Sequence, residues 1–204
     1  MHPSLLILLV GILYILGFNA LSYLRHQGLS LRLMVEGLIL TAAAAALTLV
    51  APFHPVFFLV VLYLVTMRVR LLVDLGNSVA ARGRPQRALR FYDLALRLGP
   101  DLFSRRVAEI NRAAALLQTG QPEEAYRLLR PIVTDPGVSL GLKYQAAACY
   151  NLGLACRRSG REPEAVQRFT EAIDTLPGSL YAQAARRALE EGRPGRRPAE
   201  DPQA

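Results

Sequence analysis

The chain has 204 residues, 52% of them hydrophobic, and a net charge of +8 with a pI near 10. That length bounds it to one or two domains, and the basic balance raises nucleic acid as a partner. The basic residues, however, alternate with acids along helical stretches, which makes a solvated surface, and no nucleic-acid motif or aromatic platform accompanies them. Arg outnumbers Lys 23 to one, a bias of genomic base composition that points to a GC-rich bacterium.

The charge is unevenly spread. Residues 1–67 hold only Arg25, Arg32 and Glu36, net +1, whereas residues 68–191 carry a net +6. The first half therefore reads as a membrane region. Ser4–Tyr23 is 20 residues without a charge, which matches the ~20 needed to cross a ~30 Å hydrocarbon layer. A cleaved signal peptide is the rival reading, but "MHPS" supplies no basic n-region. Leu33–Val50 gives a second span whose one acid, Glu36, lies in the first turn, where a carboxylate reaches headgroup water. The run Ala42–Ala46 offers a smooth face to a neighbouring helix.

"APFHP" (51–55) breaks the chain, since two prolines cannot sit inside a helix. Val56–Met67 is short for a span. Arg68 and Arg70 can snorkel while Leu71, Leu72 and Val73 lengthen it, giving a third crossing at about 56–73, with a re-entrant segment as the alternative. That span and the residues after it read as one helix from about Val56 to Ala81. Arginines on the 24–32 loop and after residue 67, with none at the N-terminus or in 51–55, place the N-terminus outside and the remainder in the cytoplasm.

The second half repeats. At an offset of 77 residues, Leu75/Leu152, Gly76/Gly153, Gly83/Gly160, Ala88/Ala165, Ala95/Ala172 and Pro100/Pro177 coincide, and Tyr92 meets Phe169. Gly120 and Ala125 keep the spacing of Gly83/Ala88 in a degenerate middle copy. Large, small, aromatic and turn positions recurring together are what a repeated helix–turn–helix unit requires. The pattern resembles the tetratricopeptide repeat over about residues 69–191, strongly in the first and third copies and weakly in the second. The fold class is therefore all-α: N-terminal transmembrane helices in 1–67, then an α-solenoid. Its repeats fall at about 69–102, 103–137 and 138–178, with a capping helix at 179–191 and a disordered, proline-rich tail at 192–204. On the capping helix, Arg186/Glu190 and Arg187/Glu191 have i, i+4 spacing opposite the apolar stripe.

Nothing in the sequence assembles a catalytic or metal site. His2, His26 and His54 are far apart, and no phosphate loop or nucleophile motif occurs. Glu123 and Glu124 beside Pro122 are acids favoured in a first helical turn. Cys149 and Cys156 are two helical turns apart, about 10 Å, too far to bridge each other, and they stand where the repeat usually has bulky core residues. The expectation is no enzyme and no cofactor.

The resemblance implies a concave groove of first helices that binds a segment of another protein. Asn77, Asn111, Tyr150, Asn151, Arg157 and Arg158 are the candidate groove residues, with the two arginines favouring an acidic or extended segment. Leu75, Leu152, Ala88 and Ala165 pack the solenoid. A carboxylate clamp is not expected, because Val73 and Ala147 stand where Lys would serve it. Two functions follow: a membrane-anchored adaptor that binds a protein partner in its cytoplasmic groove, or an accessory subunit of a membrane transport or envelope-assembly complex whose spans make the specific contacts. Lipid is a partner in either case; nucleic acid and small-molecule substrates are not.

Overall fold

A computed structural model describes residues 3–24, 31–50, 54–135, 137 and 139–192, which places Arg25 and the tail after Gly192, including the expected disorder there, outside the described residues. Three helices come first: α1 (Pro3–Leu24), α2 (Leu31–Leu47) and α3 (Pro55–Ala81). By length and composition α1 and α3 can cross a membrane. At 17 residues α2 rises about 26 Å, the short end of a span. Only 22% and 28% of the most apolar windows of α1 and α3 are buried. Leucines such as Leu5, Leu9, Leu13 and Leu16 face outward.

Small residues bring these helices together. A Cβ on Gly11 would stand 2.3 Å from Thr41 Oγ1, and one on Gly37 would stand 2.9 Å from Ile15, so side-chain volume at either site would part α1 from α2. Ala44 and Ala45 turn inward onto Ile7, Phe58 and Leu62, while Ala42, Ala43 and Ala46 face outward. The α1–α3 contact adds a hydrogen bond of 2.7 Å between the Tyr14 and Thr66 hydroxyls. Glu36, near the start of α2, keeps 28% of its side chain exposed and is also paired. It accepts two hydrogen bonds from Arg68 and one from Arg32, each 2.7 Å. A partly buried carboxylate is stabilised by a bidentate guanidinium, and α3 supplies one.

The second half is a row of helix pairs: α4 (Pro85–Arg97), α5 (Leu102–Gln118), α6 (Pro122–Thr134), α7 (Leu142–Arg158), α8 (Glu162–Thr175) and α9 (Leu180–Glu191). Helix α3 is unbroken, so its C-terminal half is also the first helix of the first pair. No strand occurs among the described residues. Prolines open α4, α6 and α8, where an absent N–H costs nothing. The turns before them share one geometry, with Gly83, Gly120 and Gly160 at φ 73°, 77° and 75°, a region only glycine enters without strain.

The packing repeats as well. Gly76 lies against Tyr92, and Gly153 against Phe169; a Cβ at either glycine would stand only 2.5 or 2.7 Å from the ring carbons. The aromatic rings, both fully buried, fill the space a side chain would take. Helices α3, α5, α7 and α9 run parallel in one layer. Phe103 meets Tyr144 ring to ring at 5.8 Å near the starts of α5 and α7. Tyr150 meets Tyr181 at 6.0 Å on α7 and α9. Arg158 Nη1 donates to Leu117 O, joining the ends of α7 and α5.

Leu75 departs from the packing role expected of it: it is 52% exposed, whereas Leu152 is fully buried. The reason is topological. Leu152 is covered by the preceding pair, α5 and α6, and no pair precedes α3 on the corresponding side.

Substituting Gly153 by Ala should destabilise the third pair by about 1–3 kcal/mol, the usual cost of overpacking. Gly178→Ala, where a Cβ meets nothing, should leave the thermal midpoint unchanged. Differential scanning calorimetry of the two variants makes the comparison.

Candidate functional site

The layer of first helices leaves a cleft between α7 and α9, of about 460 Å³. Its walls are apolar at Tyr150, Leu154, Leu180 and Ala184, and its polar groups include Gln183, Arg187 and Glu191. Tyr150 is held in place by Phe169 at 5.9 Å and Tyr181 at 6.0 Å. Burial pushes the Tyr150 phenol above its usual pKa, against the opposing pull of Arg158, so it stays a neutral donor. Burial likewise raises Tyr181.

The six sequence candidates do not form one surface. Tyr150 and Arg157 line the cleft. Asn77, exposed on α3, accepts a 2.7 Å hydrogen bond from the Tyr92 hydroxyl, so its carbonyl serves the α3–α4 contact. Asn111 donates 2.8 Å to Val107 O on its own helix. Asn151 is 7% exposed. Asn77 also differs in register: it follows Gly76, whereas Asn151 precedes Leu152 and Gly153. The three asparagines are therefore not one row.

The arginines are mostly committed within the fold. Arg157 donates to Ala188 O at 2.7 Å and to both oxygens of Glu162 at 3.0 and 3.3 Å, and its guanidinium lies 4.8 Å from the centre of the Phe169 ring. One side chain thus links α7, α8 and α9. Arg158 is spent on the Leu117 carbonyl of α5. Basic residues in the last turn of a helix find exposed carbonyls close by, and these two illustrate it. The cation that remains in the cleft is Arg187, on α9, which its i, i+4 spacing would set opposite the apolar stripe as a partner of Glu191. Both line the cleft instead, without an ion pair between them. The spacing of Leu180, Gln183, Ala184 and Arg187 is the signal that could have shown this: a second helical face beside the buried Ala182, Ala185 and Ala188.

No nucleophile is prepared here. Cys149 and Cys156 are free and buried, and burial pushes each thiol from the usual 9 to about 11. Among the described residues no group of three or more His, Cys, Asp or Glu could hold a metal ion.

Arg157→Ala should therefore act on folding rather than on a ligand. Loss of charge-assisted bonds from a half-buried guanidinium costs about 1.5–3 kcal/mol. The expected outcome is faster proteolysis and faster amide exchange confined to α9, with the α1–α6 region unchanged.

The repeat geometry has a counterpart among known families. A family model described as Tetratrico peptide repeat matches residues 72–191. Neither curated proteins nor solved structures give a match to the chain. The matched residues begin in the second half of α3 and end with α9. They cover every glycine–aromatic contact and every shared turn of the solenoid, and more than half of the 204 residues, so the chain belongs to the tetratricopeptide repeat family.

Proposed function

We propose that this protein is a membrane-anchored adaptor whose α7–α9 cleft binds an extended, acidic segment of a partner protein. Tetratricopeptide repeats mark the chain as a protein-interaction adaptor or scaffold, and proteins of the family are typically not enzymes. The observation that carries the finer reading is the cleft itself: Tyr150 and Leu154 beside an arginine that has no acid partner among the described residues, open to solvent between two first helices. Aromatic and Arg side chains dominate binding energy at interfaces. An acidic group of the segment lies toward Gln183 and Arg187 and away from Glu191, which fixes its polarity.

The anchoring half of the proposal rests on α1 and α3, whose outward faces are apolar, and on the arginines that flank them. The N-terminus lies outside and the repeats lie on the cytoplasmic side of a bacterial plasma membrane. Helix α3 leaves the bilayer and enters the solenoid without a joint. The alternative, an accessory subunit recognised through its spans, places the specific contacts on α1–α3.

Reporter fusions after residues 28, 53 and 100 should read inside, outside and inside; an inside signal at 53 would make the α2–α3 hairpin re-entrant. Binding is tested with displayed random peptides panned against the full-length protein in lipid nanodiscs. Enriched peptides should be acidic with apolar residues. Arg187→Ala should weaken them about tenfold, as expected for one interface arginine, and Leu154→Asp should abolish capture with the circular dichroism unchanged. Peptides indifferent to both changes, or sensitive only to substitutions on α1–α3, would refute the cleft.

A further inference from the structure

The two edges of the solenoid differ in chemistry, and the difference points to a second contact. One edge carries the turns α3–α4, α5–α6 and α7–α8, at 82–84, 119–121 and 159–161. It is polar, with Arg82, Arg84, Gln121 and Arg161 around the three glycines. The other edge carries the turns α4–α5, α6–α7 and α8–α9. Each first helix there begins with an exposed leucine: Leu102 at 43%, Leu142 at 56% and Leu180 at 80%. Leu98 is exposed beside them. Of the seven large apolar residues exposed after Arg68 among the described residues, these four lie on this edge and none lies at the opposite turns. Leucine immediately after a helix cap has no helical requirement to be there, since α5 and α9 are already capped by Asp101 and Ser179.

Topology decides what this edge faces. Helices α5, α7 and α9 run parallel to α3, and α3 enters the solenoid from its apolar half. Their N-terminal ends therefore point back toward the level at which α3 leaves the apolar region. Two contacts fix that level. Arg32, at the start of α2, donates 2.8 Å to Leu98 O at the end of α4. The Arg32 guanidinium also lies 3.8 Å from where a Cβ on Gly99 would be. The leucine edge thus begins at the ends of the apolar helices.

Charge agrees with the same direction. Of the seven Arg in residues 68–100, Arg82 and Arg84 lie on the polar edge and Arg68 is held by Glu36, so the cations that bear on the direction are those at the other edge. Exposed Arg97, Arg105 and Lys143 stand along the leucine edge. Two acids of this edge are turned onto backbone amides, Asp101 onto Ser104 and Asp135 onto Gly137.

We infer that the solenoid lies with its leucine edge on the membrane, Leu102, Leu142 and Leu180 entering the headgroup region and Arg97, Arg105 and Lys143 meeting anionic lipid. Apolar side chains rimmed by cations are the combination that holds a peripheral surface on such a bilayer. The inference rests on the membrane anchoring proposed above and adds an orientation: the solenoid is laid along the surface instead of projecting from it, and the polar edge and its arginines face the cytoplasm.

The chain has no tryptophan, so single replacements report their own surroundings. The full-length protein is reconstituted into vesicles of phosphatidylcholine, brominated near the headgroup end of the acyl chain, with and without phosphatidylglycerol. Leu142→Trp and Leu180→Trp should emit at shorter wavelength and be quenched by the brominated lipid, more strongly with phosphatidylglycerol present. Gln121→Trp, on the polar edge, should be quenched only by aqueous iodide. Leu9→Trp in α1 separates the two readings. If it is quenched by lipid while residues 142 and 180 behave like 121, the anchor stands and the edge contact is overturned. If Leu9→Trp is not quenched either, both are overturned. A blue shift at 142 and 180 without lipid quenching would assign the edge to a protein interface and overturn the lipid contact.

Discussion

Glu36 is the point on which the two halves of the molecule are joined. Its carboxylate holds Arg68 through both oxygens and Arg32 through one, and Arg32 passes the connection to the Leu98 carbonyl of the first helix pair. A lone carboxylate among apolar helices is costly, and so is a lone guanidinium; together, with their hydrogen bonds met, they are stable in one relative placement of α2, α3 and α4. Because α3 is continuous, that placement fixes every later helix. The solenoid inherits its orientation from three side chains at the end of the apolar region.

Within each half, order comes from the same physical device used on different partners. Where no side chain intervenes, helices approach closely: Gly11 against Thr41 and Gly37 against Ile15 in the first half, Gly76 against Tyr92 and Gly153 against Phe169 in the second. Between α1 and α2 such contacts act through dispersion and the geometry of close approach. In the solenoid the ring that fills the glycine's space is also removed from water, so hydrophobic burial adds to the fit. Ala88, Ala95, Ala165 and Ala172, all fully buried, serve the same close approach on the second helices.

The periodic part of this structure is legible in the sequence because the repeat writes its packing twice. Gly76/Tyr92 and Gly153/Phe169 align by spacing alone, and each pair is in contact. Features that depend on neighbours in space leave no such trace. Glu36 and Arg68 are 32 residues apart with no repeat to relate them. Leu75 matches Leu152 letter for letter, yet one is solvated and the other buried, since a solenoid has a first unit and its neighbours are unequal. Arg187 is misplaced by spacing for the opposite reason: helical periodicity gives two faces beside a buried stripe, and only the position of α7 decides which becomes the cleft.

The arginines illustrate a more general limit. A cation written near a helix end has two competing uses: free carbonyls of adjacent helices, or a ligand. Arg157 and Arg158 sit in the last turn of α7, where the ends of α9 and α5 present carbonyls within reach, and both are consumed there. Arg187 lies on α9 beside Tyr150, Leu154 and Gln183, and Glu191, which lines the same cleft, forms no ion pair with it. Charge on a repeat protein therefore marks a binding surface only after the carbonyls and acids around it have been subtracted. In this chain the subtraction removes most of the cations of the third pair and leaves the first pair, beside the apolar helices, strongly positive. Free cation density thus rises toward the apolar helices and falls along the solenoid, so that one arginine in the cleft is distinct against its surroundings, while the arginines of the first pair act together as a field.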